Sequence, residues 1–162
     1  MKASLWSLAV LGVVVFGAIK SHAQEASAPP DPLSLWETDR SHVFGPDELD
    51  LRELVWAARP LIVFADSPND PQFHQQMQML RDRPDDLAER DVVIIVDADP
   101  SADSELRRQM RPRGFMLMLI DKDGRVALRK PSPWDVRELS RSIDKTPLRQ
   151  QEIRERRDSA SE

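Results

Sequence analysis

Three continuous apolar segments of strand length constrain the fold of this chain more than any other feature. They occupy residues 61–65, 92–96 and 115–120. Uninterrupted apolar runs of about four to eight residues are typical of strands that are covered on both faces. Because helical patterns separate the segments, we expect an α/β fold with helices packed on a central sheet.

Helix and turn signals lie between the segments. Asp70 followed by Pro71 predicts a helix N-terminus directly after the first segment. The apolar stripe of this helix consists of Phe73, Met77 and Leu80. Residues 84–86 stop or restart the helix, and a further helix is predicted over about residues 103–110.

The third segment is predicted to pair with the residues that follow it. Asp123 and Gly124 form a strong hairpin signal before an alternating strand over residues 125–129. The predicted order is β-α-β-α-β-β-α, with the first two strands parallel through a right-handed crossover. We expect a thioredoxin-like three-layer α/β/α sandwich with a C-terminal helical tail.

Residues 34–58 precede the first apolar segment and carry scattered apolar side chains. They are predicted to form a short strand and a short helix that opens at Gly45 and Pro46. After the hairpin, Ser132-Pro133-Trp134-Asp135 is interpreted as a capping box with proline at the first helical position.

Thr146 and Pro147 open the last predicted helix. Acidic residues alternate there with Arg149, Arg154, Arg156 and Arg157. This alternation indicates a solvated helix face. Glu152 precedes Arg156 by four residues on this face, which is the favourable order for an i, i+4 ion pair.

The N-terminus has the pattern of a cleaved export signal. Lys2 precedes an apolar run over residues 5–19, and Ala23 ends a small-residue cleavage motif. A membrane-spanning helix needs about 20 apolar residues, and this run is shorter. We therefore predict a periplasmic or secreted protein cleaved after Ala23, with an uncleaved membrane anchor as the alternative. The predicted organisation is a signal peptide (1–23), a disordered leader (24–33), one domain (34–158) and a disordered tail (159–162).

Composition excludes several kinds of partner and chemistry. Signal cleavage removes Lys2 and Lys20 but no acidic residue, so the formal net charge falls from −5 to −7. A nucleic-acid partner would need clustered Lys and Arg. The chain contains no cysteine, which excludes disulfides, zinc–thiolate and iron–sulfur sites and thiol catalysis. We predict no cofactor, no nucleic-acid partner and no membrane span after cleavage.

Several motifs resemble a known family. They are Trp56-x-x-Arg59-Pro60-Leu61-Ile62-Val63-Phe64-Ala65, Leu87-Ala88-Glu89-Arg90-Asp91-Val92-Val93, Gly114-Phe115 through Asp123-Gly124-x-Val126-x-Leu128-Arg129, and Ile143-Asp144-x-x-Pro147-Leu148-Arg149-Gln150-Gln151-Glu152-Ile153-Arg154. Over about residues 55–155 the chain resembles the domain of unknown function 4174 family, also called P-DUDES. The resemblance implies a thioredoxin/peroxiredoxin-like fold without an established activity, found in exported bacterial proteins and in animal matrix and sushi-repeat proteins.

The resemblance also locates the missing thiols. In redox-active thioredoxins a CxxC pair follows the first strand of this unit, and the corresponding residues here are 66–71. Serine cannot replace thiol chemistry there, because an alcohol forms no disulfide. Thioredoxins also place a cis-proline just before the hairpin, and the nearest candidate is Pro112.

Four polar residues near the carboxyl end of the first predicted strand are candidate ligand-binding residues, because open α/β sheets bind ligands at this edge. They are Asp66, Ser67, Asp70 and His74. Asp70 and His74 could share a helix face as metal ligands; alternatively, Asp70 is an N-cap and His74 an exposed polar residue. Only His42 and His74 survive signal cleavage, which excludes a multi-histidine zinc site.

A second carboxylate pattern follows the second apolar segment. Its residues are Asp97, Asp99, Ser101 and Asp103, which have the opening rhythm of a calcium loop. Ala102 stands where glycine is needed, and Arg108 stands where a bidentate glutamate belongs. We interpret the pattern as a strand-end turn and a helix cap, and we predict no metal site.

Two functions from different classes fit these observations. The first is an exported, non-catalytic thioredoxin-like module that binds a protein or an envelope component. The alternative is a cysteine-independent, metal-assisted enzyme built on residues 66–74. A third interpretation, an accessory factor in envelope homeostasis, makes no separate prediction about residues.

Overall fold

The computed structural model describes residues 31–161, so the predicted signal peptide and most of the predicted leader lie outside the described residues. The helices are α1 (Pro32–Thr38), α2 (Pro71–Arg81), α3 (Pro84–Ala88), α4 (Glu105–Met110), α5 (Val136–Asp144) and α6 (Pro147–Ser159). The strands are β1 (Val43–Phe44), β2 (Arg59–Phe64), β3 (Val92–Asp97), β4 (Met116–Ile120) and β5 (Val126–Lys130). Helix α1 includes Pro32 and Leu33, the last two residues assigned to the leader.

The five strands form one mixed sheet in the order β1-β3-β2-β4-β5. β3 pairs in parallel with both β1 and β2, and the predicted parallel pairing of the first two long strands is confirmed. β4 is antiparallel to β2 and to β5, as the hairpin signal predicts. Gly124 has φ +79° in the β4–β5 turn, a conformation that glycine adopts without strain.

Two apolar clusters cover the two faces of the sheet. Alternate residues of β2 explain the division, since Leu61 and Val63 face one cluster while Ile62 and Phe64 face the other. Helices α2, α3 and α5 supply the first cluster, and α1 and α4 supply the second. Every residue of β2 is buried, which is why its sequence reads as a continuous apolar run.

The helix predicted to open at Gly45 and Pro46 is wrong. The helix of this region is α1, and it precedes β1 rather than following it. Residues 47–57 form turns that insert Leu49 and Leu54 into the core. Five positions separate these two leucines, a spacing that does not place them on one helix face.

The capping box predicted at Ser132 is also wrong. Helix α5 begins at Val136, and Asp135 caps it by accepting a hydrogen bond from the Arg137 N–H at 2.7 Å. Trp134 cannot join the helix, because its N–H donates to Gln76 Oε1 at 2.7 Å and its carbonyl accepts from Gln76 Nε2 at 3.2 Å. A contact with α2 therefore sets where α5 starts.

Candidate functional site

The parallel strands β2 and β3 end together at one edge of the sheet. Phe64 pairs with Asp97 at the last position of both strands, and the Ala65 N–H donates to the Asp97 carbonyl at 3.0 Å. The loop after β2 and the turn after β3 consequently share this carboxyl edge. This is where open α/β sheets bind their ligands.

All four candidate residues lie in the loop and helix that follow β2. The Ser67 hydroxyl accepts a hydrogen bond from the Asn69 N–H at 3.1 Å, and the Asp70 carboxylate accepts one from the Gln72 N–H at 2.8 Å. Asp70 caps α2 with Pro71 at the first helical position, as predicted. His74 is exposed, and Asp66 has the most exposed carboxylate of the loop for any ligand to reach.

The structure brings no third protein ligand to Asp70 and His74. Among residues 31–161, no group of three or more histidine, aspartate or glutamate side chains could hold a metal ion. The ligand-binding role of Asp66, Ser67, Asp70 and His74 stays a prediction.

Arg107 is the central side chain of this edge. Its Nε donates to Asp97 Oδ1 at 2.7 Å, and its Nη2 donates to the carbonyl oxygens of Asp97, at 2.9 Å, and of Ala65. Its Nη1 makes no hydrogen bond within the described chain and lies 3.8 Å from Asp66 Oδ1. The guanidinium is therefore fixed on one side and open toward Asp66 on the other.

The turn after β3 explains the calcium-like pattern. Asp97 is buried and accepts hydrogen bonds from Arg107 and from the Ser104 hydroxyl, at 2.5 Å. The Asp99 carboxylate accepts hydrogen bonds from the hydroxyl and the backbone N–H of Ser101. The hydroxyl bond, and to a smaller extent the N–H bond, lower the pKa of Asp99. The interpretation of this pattern as a strand-end turn and helix cap is confirmed.

Unpaired cations extend from this edge onto β5. Several basic side chains of the described residues have no carboxylate oxygen within 4.0 Å, and four of these lie on the connection between α4 and β4 or at the end of β5. They are Arg111, Arg113, Arg129 and Lys130. The Arg129 guanidinium donates to the Met110 carbonyl at 3.3 Å, which brings β5 beside the end of α4. We call these four residues the basic surface.

Gly114 lies where the basic surface meets the candidate loop. It has φ +61°, and a Cβ atom at this position would lie 3.9 Å from Asp66 Oδ2. Any other residue here would therefore carry backbone strain and a side chain directed at Asp66. The positive φ is therefore the reason that this position favours glycine.

A buried ion network closes the opposite, amino-terminal edge of the sheet. Arg59 is fully buried on β2 and donates to Asp121 at 2.8 Å, to Glu152 at 2.9 Å and to the Arg90 carbonyl at 2.9 Å. Burial raises the pKa of Glu152, but the hydrogen bond and charge of Arg59, with Arg149 and Lys122, outweigh it and leave the pKa lowered.

The solvated face predicted for α6 is wrong at two residues. Arg149 is 1% exposed and contacts Glu152 at 3.2 Å and Glu89 at 3.4 Å. Glu152 faces this network instead of pairing with Arg156. Polar alternation along α6 gave no signal that one arginine is buried, because its partners come from distant parts of the chain.

A family model supplies the comparison that decides the relationship. The model for the domain of unknown function DUF4174 matches residues 50–152. The chain belongs to the DUF4174 family. This segment contains the candidate loop, Arg107, the basic surface and the partners Arg59 and Glu152, and it agrees closely with the extent expected from the sequence motifs. No curated protein matches the chain.

Two further observations concern this DUF4174 protein. The described residues contain no cis peptide bond, so Pro112 follows a trans bond. No helix within residues 31–161 is both long enough and apolar enough to cross a membrane.

Proposed function

We propose that this DUF4174 protein is an exported, thioredoxin-like binding module without catalytic activity. One observation carries the proposal: the loop that follows β2 contains no thiol, and its Ser67 and Asp70 oxygens accept hydrogen bonds from nearby backbone N–H groups. A nucleophile needs an adjacent base and a free approach to its substrate. Because these side chains already bond the backbone of their own loop, they keep the loop in one conformation, which suits binding better than nucleophilic catalysis.

The strand arrangement supports the thioredoxin-like interpretation. Two parallel pairings precede an antiparallel hairpin, and helices pack on both faces. Fold alone does not assign a function. The redox function associated with this fold needs thiols, which the chain lacks at every position.

The N-terminal sequence pattern supports export. Expression of the full chain with a C-terminal tag, followed by fractionation and intact mass measurement, tests it. We expect a mature protein outside the cytoplasm that begins at Gln24, and we expect Ala23→Arg to block processing. A full-length protein in the cytoplasmic fraction would contradict export.

Binding is tested by cross-linking the tagged protein in intact cells and then reconstituting the complex from purified components. We expect saturable binding to a defined envelope or extracellular protein, measured by calorimetry. Substrate turnover that is abolished by alanine at Asp66, Asp70 and His74 would instead support the metal-assisted enzyme.

A further inference from the structure

Strand β5 is an open edge of the sheet. Within residues 31–161 it pairs only with β4, and no other strand lies along its opposite side. Among the described residues, no backbone hydrogen bond outside the β4 ladder involves residues 126–130. Alternate residues of such a strand direct an N–H and a carbonyl outward, and an extended chain can pair with them.

The two ends of β5 differ in chemistry. Val126 lies at the hairpin end beside Val55 and Trp56, whose exposed fractions are 37% and 67%. Val55 approaches the turn, since its Cγ2 lies 3.7 Å from a Cβ built on Gly124, and the Trp56 N–H donates to the Lys122 carbonyl at 2.7 Å. We call Val55, Trp56 and Val126 the apolar patch.

Trp56 is held in a costly conformation at this patch. Its φ is +67°, a region that bulky residues rarely adopt. Core packing does not require this side chain, because about two thirds of it is exposed. Exposed tryptophan is also the residue type most enriched among binding hot spots. Strain combined with exposure indicates a contact made outside the chain.

The basic surface occupies the other end of β5. Arg129 and Lys130 end the strand, and Arg111 and Arg113 lie on the connection between α4 and β4. The protein as a whole is acidic, with a formal net charge of −5. Arg129 projects from the same face of the sheet as Val126, whereas Lys130 projects from the opposite face, where its Nζ lies 4.4 Å from the centre of the Trp134 ring.

We propose that β5 receives an extended acidic peptide of a partner protein as a sixth strand. Carboxylates of the peptide meet Arg129, and an aromatic or aliphatic side chain on the same face of the peptide meets the apolar patch. Antiparallel pairing is favoured slightly over parallel pairing, so the acidic residues precede the apolar one in the peptide. This proposal rests on the proposed binding function and specifies its partner.

A second copy of the chain fits this edge less well. Antiparallel pairing of two β5 strands about Leu128 would place Arg129 opposite Ala127 and Lys130 opposite Val126 of the other copy, so neither cation would meet a carboxylate. An acidic peptide has the complementary charge.

The test uses the mature protein and a heptapeptide, Thr-Glu-Val-Glu-Val-Phe-Thr, with a fluorescein label at its N-terminus and a blocked C-terminus. The peptide places two carboxylates and one ring on the same face of a strand. We expect saturable binding by fluorescence anisotropy and slower amide hydrogen exchange in residues 126–130. Two control peptides, one with lysine for glutamate and one with proline for valine, are expected not to bind, because they lack the charge or the donor N–H groups.

Matched variants assign the contacts. Arg129→Glu is expected to weaken binding about tenfold, whereas Arg81→Glu is expected to leave it unchanged. Arg81 is an exposed arginine near β1 and β3, far from β5, and no carboxylate of residues 31–161 lies within 4.0 Å of it. Trp56→Gly should weaken binding about thirtyfold without loss of stability, because glycine accepts the positive φ.

Several results would overturn the proposal. Equal binding of the lysine or proline peptide would show that no acidic strand is recognised. So would unchanged exchange in residues 126–130, a β5-dependent dimer, or binding of anionic phospholipid vesicles that depends on Arg129 when the peptide does not bind. If the reconstituted envelope complex persists without this peptide contact, the binding function survives and only the β5 site fails.

Discussion

Arg59 shows how much a single residue determines at the amino-terminal edge of the sheet. A fully buried arginine is stable only when carboxylates and carbonyls replace the water that it loses. The carboxylates of Asp121 and Glu152 supply this replacement, at 2.8 Å from Arg59 Nε and 2.9 Å from Arg59 Nη2. The interaction therefore contributes to the register of β2 against β4 and to the position of α6.

We expect Arg59→Met to destabilise the protein by about 3–5 kcal/mol, because it leaves Asp121 and Glu152 without their buried partner. Urea unfolding of a protein comprising residues 24–162 measures the change. The control Arg52→Met removes a fully exposed pair with Asp50 and should cost far less. Equal costs for the two variants would show that the network is not a stabilising element.

Glu152 makes the network sensitive to acid. Its pKa lies below the ordinary value of 4.5 in the folded protein, so its contribution to stability is complete above that value. The contribution is lost as the pH falls through the lowered pKa.

We expect the free energy of unfolding of Glu152→Gln to fall less steeply than that of the wild type between neutral pH and pH of about 3. Chemical unfolding at a series of pH values measures it. Glu37→Gln, at an exposed residue of α1, should follow the wild-type curve. A Glu152→Gln curve parallel to the wild type would contradict the lowered pKa.

Gln76 couples two helices at the scale of elements. Its amide group satisfies both the N–H and the carbonyl of Trp134, which lies just before α5. The position of α5 over the sheet thus depends on α2 through one buried side chain.

Replacing Gln76 by alanine should destabilise the protein by about 2 kcal/mol, because two backbone groups of Trp134 lose their partner. It should also speed amide exchange at the start of α5. Gln75→Ala, at the adjacent exposed position, is the control. Unchanged exchange in α5 would mean that other contacts fix its start.

The success of the sequence predictions depended on how local each signal is. The strands β2, β3 and β4 were predicted correctly, because each is determined by a run of consecutive apolar residues. The caps at Asp70 and Thr146 were also predicted correctly, because each side chain bonds a backbone N–H only two or three residues further along the chain. The start of α5 was not, since Gln76 acts across 58 positions of sequence.

The site followed the same rule. The candidate loop was located from the sequence of β2 alone. Arg107 reaches this loop because it bonds Asp97, and Asp97 pairs with Phe64 at the end of β2, a contact that the sequence does not reveal. The Arg59 contacts span 62 and 93 positions, which no local pattern reports.

The whole molecule is acidic, yet the four cations of the basic surface lie close together in the fold, after α4 and at the end of β5. We expect a protein comprising residues 24–162 to be retained weakly on a sulfonate cation exchanger at pH 7 and low ionic strength, where the Debye length is about 30 Å at 0.01 M salt. The test variant carries Arg111→Gln, Arg113→Gln, Arg129→Gln and Lys130→Gln. It should elute without retention.

A variant of equal net charge provides the control for this experiment. It carries Arg81→Gln, Arg137→Gln, Arg154→Gln and Arg157→Gln, all at exposed residues outside the basic surface. It should be retained almost as well as the wild type. Identical elution of both variants would show that net charge alone governs retention.

The length of β1 limits how this sheet can associate. β1 has two residues, so the edge opposite β5 offers almost no ladder to a further strand. A molecule with one usable edge has a valency of one, and growth of a continuous sheet through many copies needs a valency of two. Any strand added at β5 therefore gives a complex of one protein with one partner, in which sheet growth terminates.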